Sequence, residues 1–580
     1  MLRNYLGSYR CMKIEELIKK LHRVLKNYVS RRQYIVSMNQ DKLIVDIIKG
    51  AKKWLLAKHR TKNSSMKMLY IPSYYMIRYP RIFDLTMALS FLLRGCRITP
   101  VLTGFFHAYE CVIYGGIYNE DRKRKIKDYN KIELKIWQKL LGLNYFLLEN
   151  FRNSDDIAIA QEIVKKINFN NYRDILYMGY PVGKNAAYVT CNMNNMPELI
   201  NEEKIIRQLK IHASNIVELM NAYNKIFDFF KPDVVFSNVP FYYKWGVVFH
   251  IAKRKNIPFY SAKMAEKKNA FMFSRNSDRI FDCTPAWSSF KKISISSGKL
   301  ESKVNEIISK RNSRNFSHFS PYPLPGSAPK ELDELMKRIS GKKTIFFPVN
   351  VFFDAVTLAS TPVFNNLVEM VEEVLQFFSK HKEFQLIIKA HPAEELFDKD
   401  DVHGYGKYIL RNFILERQHL VSDNIIFLDY DCPISTHDII PIIDLGIAYV
   451  SSAVMEMSLG GKPVIAVMDC HYSSKGFTYD PKNKKDFFDL ILKLLHIPES
   501  SFVVKRRVEL ARRYYLLFSS HAQVDLKLFQ GSDTGSVEDK FLFRNFKDLL
   551  PGKNNALDYI CDSIINHLDI FGENRWPPET

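Results

Sequence analysis

The sequence predicts an α/β fold made of two parallel-sheet units. Three observations carry this prediction: short apolar strands alternate with amphipathic helices, a proline-rich stretch separates two such series, and 580 residues are too many for one core. The predicted boundaries are a basic helical extension at 1–65, a first unit at 66–293, a linker at 294–343, a second unit at 344–503 and a C-terminal helical segment at 504–580.

The first unit opens with a strand, a helix and a second strand. Residues 67–71 and 97–102 are the predicted strands, and residues 81–94 form an amphipathic helix between them. A strand, helix and strand within so short a stretch indicate a right-handed crossover in a parallel sheet. Residues 233–238 and 257–260 extend the same pattern.

The second unit repeats this alternation. Residues 344–350 form its first predicted strand, and Thr361-Pro362 is predicted to open the next helix as cap and first-turn proline. Further strands are predicted at residues 386–388, 424–428, 445–450 and 463–468. Two similar units joined by a linker predict a cleft between them, where ligand sites are common.

The net charge of +22 is concentrated near the N-terminus. Residues 1–65 hold 16 Lys and Arg against 4 Asp and Glu, and residues 122–127 form a second basic run. This pattern suits attraction to nucleic acid, anionic lipid headgroups or an acidic glycan, or else a solvated helix face. The basic amphipathic helix at 12–27 fits either a membrane surface or packing on the next domain.

Other whole-chain features argue for a cytoplasmic location. No window of about 18 uncharged apolar residues exists, and the N-terminus lacks a signal-peptide layout. The eight cysteines are scattered, so neither a disulfide framework nor a zinc site is predicted.

Residues 386–394 are the first candidate site segment. A buried strand ends there, and Lys389, His391 and Glu394 follow around a proline. Open parallel sheets bind ligands outside these carboxyl ends. Taken alone, the histidine could equally be a solvent-facing residue at a strand end.

Residues 449–465 form the second segment. Ser451 and Ser452 lie at a strand-to-helix turn, where amides and hydroxyls suit a phosphate. Glu456 lies one turn further, where a carboxylate can hold ribose hydroxyls. The alternative is that a serine caps the helix and the glutamate complements its dipole.

Two further segments also follow strands of the second unit. His471 and Lys475 occupy a loop rich in groups that bind phosphate or sugar, and Asn350 and Asp354 leave the first strand. Because the carboxyl ends of parallel strands meet at one edge, we expect all four segments to converge.

Together these motifs resemble bacterial capsular and surface polysaccharide biosynthesis proteins, which are glycosyltransferases with two Rossmann-like domains facing across a cleft (GT-B type). The resemblance is specific over residues 344–481 and weaker in the first unit, and residues 1–65 have no counterpart in it. Lys389 is a departure, since the family more often has arginine there, and an ammonium cannot form the same bidentate clamp.

The resemblance implies a nucleotide-sugar donor in the second domain and a glycan or lipid-linked glycan acceptor in the first. It implies that His391 contacts the leaving phosphate. Asp354 is a candidate base, with a turn cap as the alternative, and Glu110 is a weaker candidate. The predicted substrate-binding residues are Asn350, Lys389, Glu394, Ser451, Ser452, Glu456, His471 and Lys475.

We expect no metal and no cofactor beyond the nucleotide-sugar substrate. The tripeptides at 398–400 and 429–431 have the Asp-x-Asp pattern; the first suits a solvated run and the second a plain loop, with a cation site as the alternative. Residues 1–65 are expected to contact an anionic membrane peripherally.

Three alternatives stay open: a 2-epimerase of nucleotide-sugars, a transferase of polyol phosphate from a CDP donor, and a non-catalytic nucleic-acid-binding protein. The last is disfavoured because the basic runs lack interleaved aromatic residues.

Overall fold

The computed structural model describes the greater part of the chain, in segments separated by short gaps. These are residues 46–54, 66–73, 78–102, 134, 137–138, 143–194, 196–238, 240, 243–267, 269–279, 281–312, 328–339, 341–352, 361–398, 408–530 and 540–571.

The described strands form two sheets and one short ribbon. They are β1 Lys67–Ile71, β2 Arg97–Leu102, β3 Phe146–Leu147, β4 Val234–Ser237, β5 Phe259–Met264, β6 Ala270–Arg275, β7 Lys343–Pro348, β8 Phe384–Lys389, β9 Ile425–Leu428, β10 Leu445–Ala448, β11 Val464–Ala466, β12 Val524–Asp525, β13 Phe529–Gln530 and β14 Lys540–Phe541.

The described α-helices cover these sheets and connect their strands. They are α1 Arg78–Leu93, α2 Ser154–Lys165, α3 Val182–Asn194, α4 Glu203–Phe230, α5 Tyr243–Arg254, α6 Thr284–Phe290, α7 Ser297–Asn312, α8 Pro329–Ile339, α9 Leu367–Lys380, α10 Glu394–Asp398, α11 Leu410–Glu416, α12 Thr436–Ile439, α13 Ala453–Leu459, α14 Lys484–His496, α15 Ser501–Leu516 and α16 Asn555–Ile565.

Both sheets share one strand arrangement. The first has the order β12-β6-β5-β4-β1-β2-β3, and the second has the order β11-β10-β7-β8-β9. All pairs in the second sheet are parallel, whereas in the first sheet the pairs β5–β6 and β6–β12 are antiparallel and the other pairs are parallel. In each sheet the chain moves outward for three strands and then returns to the other side of the first. This is the Rossmann-like arrangement, and the predicted two-sheet α/β class of GT-B type is confirmed.

The second sheet is built around fully buried strands. Every residue of β8 is buried, because helices cover both faces of the sheet. One of these helices is α9, whose apolar face is buried: Leu367, Met370, Val371, Val374 and Phe378.

The start of α9 differs from the prediction. Thr361 does not cap this helix; its hydroxyl accepts hydrogen bonds from the amides of Val363 and Phe364 in a separate turn. The N-cap is Asn366, whose side chain accepts from the amide of Glu369 at 2.8 Å. A threonine before a proline satisfied the sequence rule, but an asparagine five residues later supplies the cap.

The two sheets share one buried apolar cluster. It contains Tyr70 and Phe236 from the first sheet together with Phe346 and Ile387 from the second. The C-terminal segment links them as well, since α15 lies in this cluster and β12 then pairs with β6 of the first sheet. The two sheets are therefore joined through one apolar cluster and through the C-terminal segment.

Several predictions concern residues that the structure does not describe. Nearly all of the basic extension at 1–65, the basic run at 122–127, and Glu110 and Asp354 lie outside the described residues, as does the proline-rich part of the linker. Within the described residues, no helix has the length and apolar character needed to cross a membrane.

Candidate functional site

The carboxyl ends of the second sheet form the candidate site. The chain reverses its direction of growth between β7 and β10, and such a switch point opens a crevice at the strand ends. The turn after β7 carries Asn350, the turn after β8 carries His391, and the turn after β10 carries Ser451 and Ser452. Adjacent strands are about 4.8 Å apart, so the turns after β8 and β10 flank the crevice at about 10 Å.

His391 is held by its own turn. The amide of Ala393 donates to its Nδ1 at 3.1 Å, and the amide of Glu394 donates to its carbonyl at 2.9 Å. Because an amide can only donate, Nδ1 must be an acceptor, and the neutral ring therefore carries its proton on Nε2. The half-buried imidazole thus offers a donor at Nε2.

Lys389, the last residue of β8, is a buried cation. Only 4% of it is exposed, and burial lowers the pKa of its ammonium, while Cys432, Asp429 and Asp431 act in the opposite direction. In the described part of the chain, no ion pair or hydrogen bond reaches this ammonium. A buried charge without a direct partner is costly, and only the more distant Asp429 and Asp431 support this one, so an anion bound at this edge would add to what the protein supplies.

Asn350 also has an unused polar atom. Its Oδ1 is buried and has no hydrogen-bond partner among the described residues. The neighbouring Val351 packs with Ala393 and Tyr408, which ties this loop to the His391 turn. The segments that carry Asn350 and His391 are therefore in contact.

Glu394 is placed differently from its predicted substrate-binding role. Its carboxyl group is 1% exposed, and both oxygens lie 3.1 Å from the amide of Leu410, at the start of α11. Burial raises its pKa to about 8. Ile409, the N-cap residue of α11, makes no side-chain hydrogen bond to the helix. The carboxyl group of Glu394 therefore caps the first turn of α11 in its stead, and this contact fixes the turn that carries His391.

The two Asp-x-Asp segments meet around one arginine. The guanidinium of Arg411 pairs with Asp429, and lies 3.3 Å from both Asp398 and Asp431. The hydroxyl of Tyr430 donates to Asp398. The cation that these carboxylates hold is thus an arginine side chain. Sequence spacing gave no signal for it, because Arg411 lies on a separate helix.

The amide and the hydroxyl of Ser451 are both hydrogen-bonded within the protein. Its amide donates to the hydroxyl of Tyr472 at 3.1 Å, and its own hydroxyl accepts from the amide of Ala453 at 3.2 Å. Ser452 is exposed and is the N-cap of α13 without a side-chain cap bond. Glu456 is partly buried, with one oxygen 3.9 Å from Nδ1 of His437. Ser452 thus presents its hydroxyl beside the crevice.

His471 lies in an aromatic cluster at the boundary between the sheets. Its ring stacks on Phe518 at 4.4 Å between centroids, and its Nδ1 is 3.0 Å from the hydroxyl of Tyr514. That hydroxyl donates to the carbonyl of His471, so it accepts from Nδ1, and the proton of the ring is on Nδ1. Burial lowers the pKa of His471 to about 3, which keeps the ring neutral.

Lys475 joins the two sheets. Its ammonium donates to the hydroxyl of Thr284 at 2.9 Å and to the carbonyl of Ser473 at 3.2 Å. Burial lowers its pKa, and Asp282 opposes that effect. Nearby, Arg279 bonds Asp469 at 2.7 Å. The predicted phosphate ligand is thus engaged in interdomain contacts, and it lies apart from the Lys389 group in the fold.

The equivalent edge of the first sheet holds a buried carboxyl group. Asp84 accepts hydrogen bonds from the amide of Ser73 at 2.7 Å and from the hydroxyl of Tyr70 at 3.1 Å. Burial raises its pKa to about 7, and the buried ammonium of Lys244 acts against this rise. Sequence pattern did not predict this group, because Asp84 lies within a predicted helix and its partners, Tyr70 and Ser73, lie on β1 and just after it.

Metal-binding side chains do not cluster in the described segments: no group of three or more His, Cys, Asp or Glu there could hold an ion.

No protein-family model matches the sequence, and no curated protein sequence matches it either.

Several solved structures are similar in broad outline. The β Kdo 2,4 transferase KpsC of Thermosulfurimonas dismutans has 10% identity and a TM-score of 0.30, with 55% of this chain and 87% of that chain covered. The UDP-GlcNAc 2-epimerase of Neisseria meningitidis bound to UDP-GlcNAc has 11% identity and a TM-score of 0.24, covering 77% and 96%. A glycosyltransferase of Rickettsia africae has 11% identity and a TM-score of 0.25, covering 78% and 94%. Likeness at this level carries no information on the reaction of this chain.

Proposed function

We propose that the chain is a glycosyltransferase that moves a sugar from a nucleotide-sugar donor to a growing capsular or surface polysaccharide, or to its lipid-linked acceptor. The observation that carries the proposal is the buried ammonium of Lys389, which has no partner in the described residues and stands two residues before His391 at the strand ends. A nucleotide phosphate is an anion that would pair with this ammonium at the strand ends.

Glycosyl transfer needs charge stabilisation at the leaving group. As the bond between the anomeric carbon and the phosphate oxygen breaks, negative charge grows on the phosphate. A preorganised donor at such a point commonly contributes about 100-fold to 1,000-fold in rate. His391 supplies an N–H at Nε2, and Lys389 supplies a buried positive charge. Both groups act on the same departing anion.

The other predicted residues surround this pair. Asn350 offers an unused carbonyl oxygen, and Ser452 offers an exposed hydroxyl across the crevice. Glu456 is proposed to hold the ribose hydroxyls. Ser451, Glu394, His471 and Lys475 shape the site through their protein contacts, and in this proposal they act on the substrate through the loops they fix.

The reaction also needs a base. The acceptor oxygen forms the new bond to the anomeric carbon, its proton passes to a carboxylate, and the nucleotide leaves with the bonding electrons. Asp354 is proposed as that carboxylate, because it follows in sequence the residue Val351, which packs against Ala393 of the His391 turn. Since Lys389 and His391 supply the positive charge and the donor, the proposal includes no metal and no further cofactor.

The location of the chain belongs to the same proposal. We place it in the cytoplasm, with the basic residues 1–65 in peripheral contact with anionic lipid, where a lipid-linked acceptor would lie. Nucleic acid is not part of the proposal.

An assay with CMP-, UDP- and GDP-sugars tests the function. The purified chain is incubated with each donor, with and without lipid-linked oligosaccharide, and the nucleotide and glycan products are measured by mass spectrometry. We expect one nucleotide class to be released only when acceptor is present, and Lys389→Met to abolish release. Lys382→Met, which removes an exposed ammonium of the same domain, should have no effect.

Two results would overturn the proposal. If the chain consumes none of the donors, the proposed transferase activity is wrong. Conversion of a donor to its epimer without acceptor, or transfer of a polyol phosphate, would assign one of the alternative reactions to this site.

A further inference from the structure

The turn between α14 and α15 exposes a group of large apolar side chains. Ile497 is 62% exposed, Phe502 71% and Val503 42%. Pro498 and the two serines of the turn are exposed as well. We call Ile497, Phe502 and Val503 the apolar tip. Single apolar side chains in solvent are ordinary, whereas three within one short turn indicate a contact surface.

A buried ion pair holds the backbone beneath the apolar tip. Arg507 donates to the carboxylate of Glu499 at 2.7 Å, and the two side chains are 4% and 11% exposed. Arg507 also donates to the carbonyl of Gly461 at 2.9 Å, and the hydroxyl of Tyr479 donates to Glu499 at 2.6 Å. The turn is thus fixed to the body of the second domain, and the apolar tip projects from a supported backbone.

Three cations surround the apolar tip. Lys493 is exposed on the last turn of α14, and Lys505 and Arg506 are exposed near the start of α15. Within the described residues, none of these three side chains makes an ion pair or a hydrogen bond. Glu499 and Glu509, the two carboxylates of residues 493–509, are each paired with another arginine. The surface around the apolar tip is therefore positively charged.

The apolar tip lies away from the candidate site. The ring of His496, next to Ile497, contacts the ring of Phe384 edge-on at 5.3 Å between centroids. Phe384 is the first residue of β8, and the His391 turn follows the last residue of this strand. A strand of this length spans about 20 Å. The apolar tip is therefore at the amino end of the second sheet, and a surface bound there leaves the crevice at the carboxyl ends open.

Exposed aliphatic and aromatic side chains beside lysine and arginine are the combination that binds the surface of an anionic bilayer. We propose that the apolar tip inserts among the headgroups of an anionic membrane, with Lys493, Lys505 and Arg506 facing the lipid phosphates. The long stems of these cations can lie along the apolar boundary while their charges stay in water.

A second copy of the chain fits this surface less well. The apolar tip exposes roughly 300 Å², whereas a stable dimer buries about 800 Å² on each subunit. Two identical surfaces would also bring like charges together. The inference goes beyond the proposed function, because the contact depends neither on sugar transfer nor on residues 1–65.

Vesicle flotation of the full chain tests the contact, with vesicles of phosphatidylcholine alone and of phosphatidylcholine with phosphatidylglycerol. We expect the wild type to partition more strongly onto the anionic vesicles. Phe502→Ser should lower the partition coefficient about tenfold, because an apolar side chain no longer enters the headgroup region. The double variant Lys505→Gln, Arg506→Gln should also lower it about tenfold on anionic vesicles and leave binding to neutral vesicles unchanged.

Three matched variants control for folding, exposed aromatic surface and general charge. Phe502→Trp should bind at least as strongly as the wild type, because tryptophan suits a membrane interface, and a misfolded protein would not show this. Phe229→Ser removes a phenylalanine that is 75% exposed on α4 and should leave partitioning unchanged. The double variant Lys204→Gln, Arg207→Gln removes two exposed charges from α4 and should also have no effect.

The proposal is overturned if the wild type does not bind anionic vesicles, or if Phe502→Ser binds them as strongly as the wild type. Sedimentation without vesicles gives a further test: a dimer that Phe502→Ser converts to a monomer would assign the apolar tip to a second copy instead. Sugar transfer to an acceptor in solution needs no vesicle, so the membrane contact and the transferase activity can each fail while the other stands.

Discussion

The two sheets share a strand order but treat buried charge in opposite ways. At the crevice of the first sheet, Asp84 accepts hydrogen bonds from Ser73 and Tyr70, and Lys244 lies near enough to lower its pKa. At the crevice of the second sheet, Lys389 is just as buried, yet no described residue pairs with it. The difference between the edges is that Asp84 is hydrogen-bonded within the protein, whereas the ammonium of Lys389 makes no direct bond to a described residue and has only the more distant charges of Asp429 and Asp431 near it.

The largest expected effect is on catalysis at the second edge. His391→Ala should lower the rate of sugar transfer by about 100-fold or more, because the donor at Nε2 is lost from the leaving phosphate. His391→Gln should retain more activity than the alanine variant, since the glutamine amide can donate from a similar place. Steady-state rates at saturating donor measure this. An alanine variant within about threefold of the wild type would contradict the role of His391.

At the first edge the expected effect is on stability. Asp84→Ala leaves the amide of Ser73 without a partner and leaves the hydroxyl of Tyr70 with only the backbone carbonyl of residue 84, which should lower the free energy of unfolding by about 1–3 kcal/mol. Lys389→Met should leave stability unchanged or raise it, because it removes an unpaired buried charge. Urea unfolding of both variants measures the contrast. If Asp84→Ala and Lys389→Met lost the same free energy of unfolding, the distinction between the two sheet edges would be wrong.

The turn that carries His391 should respond to pH through Glu394. Burial raises the pKa of this carboxyl from 4.5 to about 8, so its contribution is fully present below about pH 4.5. As the pH rises toward about 8, the unfolded state ionises before the folded state, and that stability is lost. Relative to Glu394→Gln, the wild type should lose about 3–4 kcal/mol of its free energy of unfolding between about pH 5 and pH 8. A constant difference in urea midpoints across this range would contradict the assignment.

The smallest expected effect is on the affinity for the ribose of the nucleotide. If Glu456 holds the ribose hydroxyls, the wild type should bind a ribonucleotide about tenfold more tightly than its 2′-deoxy analogue, and Glu456→Gln should lose most of this preference. Titration calorimetry with both nucleotides gives the comparison. An unchanged preference in the variant would leave Glu456 as a partner of His437 and the helix dipole only.

The sequence predicted the second sheet better than the site built on it. Strands such as β7 and β8 are short apolar runs bounded by charge, so local pattern alone locates them, and the Lys389, Asn350 and His391 segments meet as the parallel order requires. The N-cap of α9 was misplaced, because Thr361-Pro362 met the same local rule that Asn366 satisfies in the structure.

The side-chain partners could not be predicted, because they are distant in sequence. Lys475 bonds Thr284, which is 191 positions away, and Arg411 gathers carboxylates from two separate loops. Glu394 was expected to face the substrate, yet it binds the amide of Leu410. Polar residues in a strand-end turn serve the loop or the ligand equally well by type and spacing, and only the fold decides between them.

The most direct test of the central claim is nucleotide binding measured by titration calorimetry with CMP, UDP and GDP. The anion site predicts that the wild type binds one of them, that Lys389→Met and His391→Ala each weaken this binding by about tenfold or more, and that Lys382→Met does not. If Lys389→Met binds the nucleotide as strongly as the wild type, the claim that this buried ammonium binds the phosphate is wrong.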